Sequence, residues 1–160
     1  MRVRRILVPT DFSPEAEAAV KYAADLAKSL RSQIVLFHAI EPLMLPSDLY
    51  LTPAIADITD QVEQATRAHV AHAVKQLGGR GVGARGMVTV DRAATAIVEA
   101  AAESRAELIV MGTHGRGGVT HLLLGSVAEK VVRTATCPVL TVRGEVARKL
   151  RRKSRRGSRR

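Results

Sequence analysis

Short apolar runs alternate along the chain with longer segments in which apolar residues recur every three or four positions. The short runs predict five β-strands, at residues 3–8, 33–40, 82–90, 107–111 and 139–142. The periodic segments predict four α-helices, at residues 14–30, 54–77, 92–104 and 126–134. Residues 41–53 contain three prolines and are expected to form a loop.

The predicted strands and helices alternate regularly, beginning and ending with a strand. Such alternation predicts an α/β domain on a parallel sheet, with right-handed crossovers and helices on both faces. The second and fourth strands, IVLFHAI and ELIVM, are near-continuous apolar runs, which are typical of strands buried on both faces. Since ligands of such sheets bind beyond the carboxyl ends of the strands, residues 9–11, 38–40 and 111–112 are expected to border a site.

Two of the predicted helices carry local start signals. Ser13 is expected to cap the first helix, with Pro14 in its first position and Glu15 and Glu17 near its positive end. Asp91 is expected to cap the third helix.

The segment at residues 112–126, GTHGRGGVTHLLLGS, joins the fourth strand to the last helix. Glycines let a backbone approach a phosphate closely, and the free N–H groups at a helix start attract an anion. The segment is therefore interpreted as a phosphate-binding loop, with a merely flexible connection as the alternative. The residues expected to take part are Gly112, His114, Gly115, Arg116, Gly125 and Ser126.

Two familiar phosphate motifs are excluded by the sequence. No G-x-x-x-x-G-K-[ST] pattern occurs, and the G-x-G-x-x-G pattern starting at Gly115 fails because Thr120 stands in its last position. No arrangement of nucleophile and base can be argued from spacing either. The sequence therefore predicts nucleotide binding with at most slow hydrolysis, and no catalytic residue is assigned.

Composition narrows the class of protein. The chain has 160 residues, enough for one domain, and its 2% aromatic content predicts an aliphatic core and counts against a base-stacking platform. A single cysteine, Cys137, suits a reducing compartment, and no apolar run approaches the roughly 20 residues of a membrane helix. The protein is therefore expected to be cytoplasmic, without a membrane partner.

The net charge of +10 is concentrated at the end of the chain. Residues 144–160 hold nine Lys or Arg and one Glu, so they carry +8 and residues 1–143 carry +2. Residues 1–143 are interpreted as one domain and residues 144–160 as a basic, disordered tail. The tail is either a solvated extension or a segment that attracts nucleic acid or another polyanion.

Four polar residues outside the glycine-rich segment have competing interpretations. Asp11 is either a turn residue or a ligand contact at the end of the first strand. His69 and His72 are expected on a solvated helix face rather than in a metal site, because two histidines alone do not make one. His38 is expected in the core or in a pocket wall.

The pattern G-x2-G-x9-G-[ST] after a strand ending in Met resembles the ATP-binding loop of the universal stress protein family. The segments ILVPTDFS, LIVMGTHGRGG and LLLGSVAEKVVRTATCPVLTV agree, and the resemblance covers about residues 3–143. It implies a Rossmann-like sheet in the order 3-2-1-4-5, similar to that of adenine nucleotide alpha hydrolases. It also implies a homodimer through the last strand, residues 138–142, and ATP as ligand, with or without Mg²⁺.

Position by position, the resemblance implies contacts with adenosine and with phosphate. Those expected near adenosine are Pro9, Thr10, Asp11 and Ala39, and those at the pocket floor are Met111 and Gly112. Those expected in the phosphate cradle are His114, Gly115, Gly125, Ser126 and Val127. Arg116 falls in the variable part of the loop, and its role is inferred from its charge.

Three functional interpretations stay open at this point. The first is an ATP-binding universal stress protein that acts as a nucleotide-dependent regulatory module in the stress response. The second is a slow ATPase or phosphotransferase on the same fold. The third is a nucleic-acid-associated protein in which the arginine-rich tail binds.

Overall fold

A computed structural model of the chain describes residues 3–42, 53–113 and 124–143. Within these residues the chain forms five strands and four helices in strict alternation. The strands are β1 (Arg5–Pro9), β2 (Gln33–Ile40), β3 (Ala84–Val90), β4 (Leu108–Gly112) and β5 (Val139–Val142). The helices are α1 (Pro14–Leu30), α2 (Pro53–Gly79), α3 (Ala93–Glu103) and α4 (Ser126–Thr134). The predicted tail and most of the predicted loop at residues 41–53 lie outside the described residues.

The five strands form one parallel sheet in the order β3-β2-β1-β4-β5. The predicted fold class and strand order are therefore confirmed. The order reverses at β1, which pairs with β2 on one side and with β4 on the other. A cleft beyond the carboxyl ends of β1 and β4 is expected at this reversal.

The core has two layers, one on each face of the sheet. Alternate residues of β1 point to opposite layers: Ile6 and Val8 pack with α1 and α2, whereas Leu7 packs with α3 and α4. All three side chains are fully buried. Burial of this kind stabilises the sheet by about 1.5–3 kcal/mol per large aliphatic side chain. β1 is thus the rigid centre from which the adjacent turn projects.

Four of the nine described elements, α1, β2, α4 and β5, have the predicted bounds, and the others differ by one or two residues at their ends. β3 begins at Ala84 rather than at residue 82, because the Val82 N–H donates to the Leu77 carbonyl oxygen (3.1 Å) in the turn after α2. The cap predicted at Ser13 is confirmed, since its Oγ accepts from the Ala16 N–H at 3.1 Å.

The cap predicted at Asp91 is wrong. The N-cap of α3 is Arg92, and no side chain caps that helix. The Asp91 carboxylate instead accepts a hydrogen bond from the Arg92 N–H (2.6 Å), one residue before the helix turns. The Asp91 N–H continues the pairing of the sheet by donating to the Ile40 carbonyl oxygen (3.0 Å), and this places Asp91 one residue too early to cap.

None of the helices in the described ranges is both long enough and apolar enough to cross a membrane.

Candidate functional site

The turn between β1 and α1 is held by hydrogen bonds from its own polar side chains. The Thr10 N–H donates to the Phe37 carbonyl oxygen (2.9 Å) and so extends the pairing of β1 with β2 by one residue. The Thr10 hydroxyl accepts from the Phe12 N–H, and the Asp11 carboxylate accepts from the Ser13 N–H, both at 3.0 Å. Asp11 therefore has the turn role that its position predicted, and it also lines the cleft described below.

Phe12 has an unusual backbone conformation within this turn. Its φ is +60°, in the left-handed region that is unfavourable for residues with a side chain, at a cost of about 1–3 kcal/mol. Its ring stacks on His69 of α2, with ring centroids 4.1 Å apart, and on His38 of β2, with centroids 4.9 Å apart. The Nδ1 atom of His38 lies 2.7 Å from the Thr10 carbonyl oxygen. The turn is thus fastened to both β2 and α2.

The N-terminus of α4 is held beside the end of β4. The Thr113 N–H donates to the Val142 carbonyl oxygen (3.2 Å), and the Gly125 N–H donates to the Thr113 carbonyl oxygen (2.7 Å). Gly125 is the N-cap of α4, and as a glycine it has no side chain that could cap the helix. The first turn of a helix carries N–H groups without intrahelical acceptors and the positive end of the dipole. These residues can therefore offer donors to an anion.

A cleft of about 830 Å³ opens at the carboxyl edge of the sheet. Its volume lies within the roughly 300–1,000 Å³ of pockets that bind small molecules and cofactors. It is lined by nine of the twelve residues that the sequence predicted for the site: Pro9, Thr10, Asp11, Ala39, Met111, Gly112, Gly125, Ser126 and Val127. The other three, His114, Gly115 and Arg116, lie outside the described residues. The structure thus brings the predicted adenosine side and the predicted start of the phosphate side into one cleft.

One wall of the cleft was missed by the sequence analysis. α2 contributes Val62, Ala65, Thr66 and His69 to the lining, at spacings that share one helix face. His69 is exposed, as expected for a solvated helix face, and its ring in addition lies on Phe12 and borders the cleft. The i, i+3, i+4, i+7 spacing was a signal that these residues act together. His38 lines the cleft as well, which agrees with its predicted place in a pocket wall.

The charged groups of the lining are acidic where the structure describes it. Asp11 and Glu41 are the carboxylates, and no Lys or Arg occurs among the described lining residues. An anionic ligand would therefore find backbone N–H groups and hydroxyls on these residues rather than cationic side chains. The carboxylates suit an uncharged part of the ligand that carries hydroxyl or amino groups, because they accept hydrogen bonds from such groups.

Comparison with known proteins identifies the family. The sequence profile described as the universal stress protein family matches residues 2–143. A universal stress protein of Thermus aquaticus is 36% identical over 141 residues, covering 88% of this chain and 98% of the relative. Another, from Methanocaldococcus jannaschii, is 32% identical over 143 residues, covering 88% of this chain and 82% of the relative. The chain belongs to the universal stress protein family.

Solved structures agree with this assignment. A universal stress protein in complex with cAMP superposes with a TM-score of 0.67 at 25% identity, covering 89% of this chain and 98% of the other. A universal stress protein from Archaeoglobus fulgidus in complex with dAMP superposes with a TM-score of 0.59 at 25% identity, covering 88% and 98% of the two chains. Two proteins of the same fold thus hold adenine nucleotides.

Proposed function

We propose that the cleft binds an adenine nucleotide, with ATP as the first candidate, and that the protein acts as a nucleotide-dependent regulatory module in the stress response. The observation that carries the proposal is the hydrogen bond from the Gly125 N–H to the Thr113 carbonyl oxygen (2.7 Å). This bond holds a helix N-terminus that begins at a glycine beside the end of β4, in the same cleft as Asp11. A helix N-terminus favours phosphate, and a carboxylate at the neighbouring strand end favours ribose hydroxyls.

The proposed assignment of residues divides the cleft into two halves. Pro9, Thr10, Asp11 and the backbone at Ala39 would contact adenosine, with Met111 and Gly112 as the floor. Gly125, Ser126 and Val127 would hold phosphate, joined by His114, Gly115 and Arg116. The complexes of related proteins with cAMP and dAMP support an adenine nucleotide as the ligand class. Any Mg²⁺ would be held largely by the phosphates, as is common for this ion.

We propose little or no hydrolysis of the bound nucleotide. Phosphoryl transfer depends on cationic groups and metal ions placed around the transferred phosphate. The sequence offers no arrangement of nucleophile and general base beside the glycine-rich segment, and this favours binding over turnover. Steady turnover of ATP at the rates of about 1–100 s⁻¹ that are typical of kinases would contradict this proposal.

The test compares binding of ATP and adenosine by isothermal titration calorimetry. Ser126→Asp places a negative charge at the proposed phosphate half, so ATP binding should weaken about tenfold or more while adenosine binding changes little. Thr136→Asp adds the same charge at an exposed position that does not line the cleft, and it should bind ATP like the parent protein. A parent protein that binds neither ligand, or a Ser126→Asp variant that keeps full ATP affinity, would refute the proposal.

We further propose that the protein is a homodimer paired through β5. β5 is the last strand at one edge of the sheet, and three of its four residues are only partly buried. A partly apolar edge strand presents unpaired N–H and C=O groups that favour pairing with another chain.

A further inference from the structure

We propose that His69 is a positioning residue of the nucleotide site, which acts by bracing Phe12 and so holding the turn that carries Asp11. The inference rests on the proposed nucleotide binding and assigns a role within that site. His69 belongs to α2, which supplies none of the residues already assigned to ligand contact.

The first observation is the geometry of the ring stack. The rings of Phe12 and His69 are almost parallel, with an interplanar angle of 8° and centroids 4.1 Å apart. The rings of Phe12 and His38 have an interplanar angle of 24° and centroids 4.9 Å apart. Phe12 is therefore stacked on imidazoles of two different elements, and the closer and more parallel contact is the one to His69.

The second observation is the backbone of Phe12. Its φ of +60° is a conformation that a residue with a side chain adopts only when its surroundings hold it there. The Phe12 N–H is bonded to the Thr10 hydroxyl, and the next N–H along, that of Ser13, is bonded to the Asp11 carboxylate. A rotation of Phe12 toward a relaxed φ would move both bonds. The side chain of Asp11 is thus coupled to the conformation of Phe12.

The third observation explains why His69 is available to brace the ring. Val70, the next residue of α2, is 3% exposed and packs onto β3 at Gly86, where no Cβ would fit. This contact holds α2 against the sheet at that turn of the helix. His69 then lies beside the cleft with its ring over Phe12. α2, β2 and the β1–α1 turn are joined by one stack at the wall of the cleft.

The experiment uses three variants of the full chain and calorimetric titration with ATP. His69→Ala removes the brace, and ATP binding should weaken by roughly three- to tenfold, the worth of one aromatic stack. His69→Phe keeps a planar ring and should restore binding to within about twofold of the parent protein. His72→Ala is the matched control: His72 lies on the same helix, is exposed, pairs with Gln76 and does not line the cleft. It should bind like the parent protein.

A second measurement needs no ligand. In amide NMR spectra, the signals of Asp11 and Ser13 should shift in His69→Ala and stay near their parent positions in His69→Phe and His72→Ala. Unchanged signals in His69→Ala, or equal loss of ATP affinity in His69→Ala and His69→Phe, would overturn the bracing role. If the signals shift in His69→Ala but the parent protein binds no adenine nucleotide, the bracing role stands and the proposed function is refuted.

Discussion

At the scale of single residues, Gly86 determines how closely α2 approaches the sheet. A Cβ built at this position would lie 2.6 Å from Cγ1 of Val70, closer than side-chain atoms pack. Val70 cannot rotate away easily, because a β-branched side chain in a helix has one strongly preferred rotamer. His69 is the neighbour of Val70 in α2, so a shift of Val70 also moves His69. The close approach that Gly86 allows therefore also affects the wall of the cleft.

We expect Gly86→Ala to lower the free energy of unfolding by about 1–3 kcal/mol, the usual effect of overpacking a filled site. The added methyl must displace Val70 and with it this part of α2. Urea denaturation followed by circular dichroism measures the change. Adding Val70→Ala to Gly86→Ala makes room for the methyl, so the double variant should lose less stability than the sum of the single variants.

Gly83→Ala is the control for this experiment. A Cβ at Gly83 would meet Cγ of Gln33 at 3.6 Å, an ordinary contact with a flexible side chain. The variant should therefore be neutral, or more stable by up to about 1 kcal/mol through its stiffer unfolded chain. Equal destabilisation by Gly83→Ala and Gly86→Ala would show that the close approach of Val70 is not the cause.

Individual residues were predictable where their partners are near in sequence. The cap at Ser13 could be predicted because its acceptor role involves Ala16, three residues on. The prediction of a cap at Asp91 was wrong because Asp91 still pairs with β2, so α3 begins one residue later than predicted. No local sequence pattern indicates that pairing. The role of His69 was missed because its partner Phe12 lies on another element. The left-handed conformation of Phe12 was equally invisible, since no glycine marked it.

At the scale of elements, Glu107 joins the beginnings of β1 and β4. Its Oε2 atom accepts hydrogen bonds from the N–H groups of Arg4 and Arg5, and its own N–H donates to the Arg5 carbonyl oxygen at 3.0 Å. The bond from the Arg4 N–H is the main cause that lowers the pKa of Glu107 below its ordinary value of 4.5, helped by the Arg5 N–H and by the charges of both arginines. The ionised carboxylate thus fastens the neighbouring strands β1 and β4 at the end of the sheet opposite the cleft.

We expect Glu107 to make stability depend on pH in the acidic range. A carboxyl whose pKa is lower in the folded than in the unfolded chain stabilises the fold above the unfolded pKa. That contribution is lost as the pH falls from 4.5 through the lower folded pKa. Glu107→Gln should therefore flatten the fall of the melting temperature below pH 4.5, and thermal melts over a pH series measure it.

Glu103→Gln removes an exposed carboxylate at the end of α3 and provides the control. It should leave the acidic limb of the pH series as it is in the parent protein. If Glu107→Gln shows that same unaltered limb, the bonds to Arg4 and Arg5 do not contribute to stability.

Elements were predicted well where one pattern decides them. β2, α4 and β5 have the bounds that their apolar runs and flanking residues predicted. α2 was predicted as a helix, but its position against the sheet was not. Only Val70 and Leu77 of its 27 residues are buried, so its pattern of apolar residues is weak. The alternation of elements predicts a parallel sheet and leaves the order of its strands open. The order came from the family resemblance, because burial marks β1 as central without saying which strands flank it.

At the scale of the whole molecule, the free edge of β5 determines how a second copy could pair. The carbonyl oxygens of Pro138 and Val142 accept from the N–H groups of Ile109 in β4 and of Thr113 directly after it, so the carbonyl groups at these alternate positions point toward β4. The intervening residues, Val139 and Thr141, therefore direct their N–H and C=O groups to the open side. At the opposite edge of the sheet, the Asp91 N–H donates to β2. Because backbone groups alternate in direction along a strand, the N–H of Val90 points outward.

We expect the parent protein to be a dimer by light scattering at micromolar concentration and Thr141→Pro to weaken that dimer. Proline removes an outward N–H while sparing the pairing of β5 with β4, and a two-fold interface loses the bond twice. At about 1 kcal/mol for each bond, dimerisation should weaken roughly 30-fold. Val90→Pro makes the same change at the β3 edge and should remain dimeric. A monomeric parent protein would contradict the dimer itself. A Thr141→Pro variant that dimerises like Val90→Pro would show that the two copies meet elsewhere than along β5.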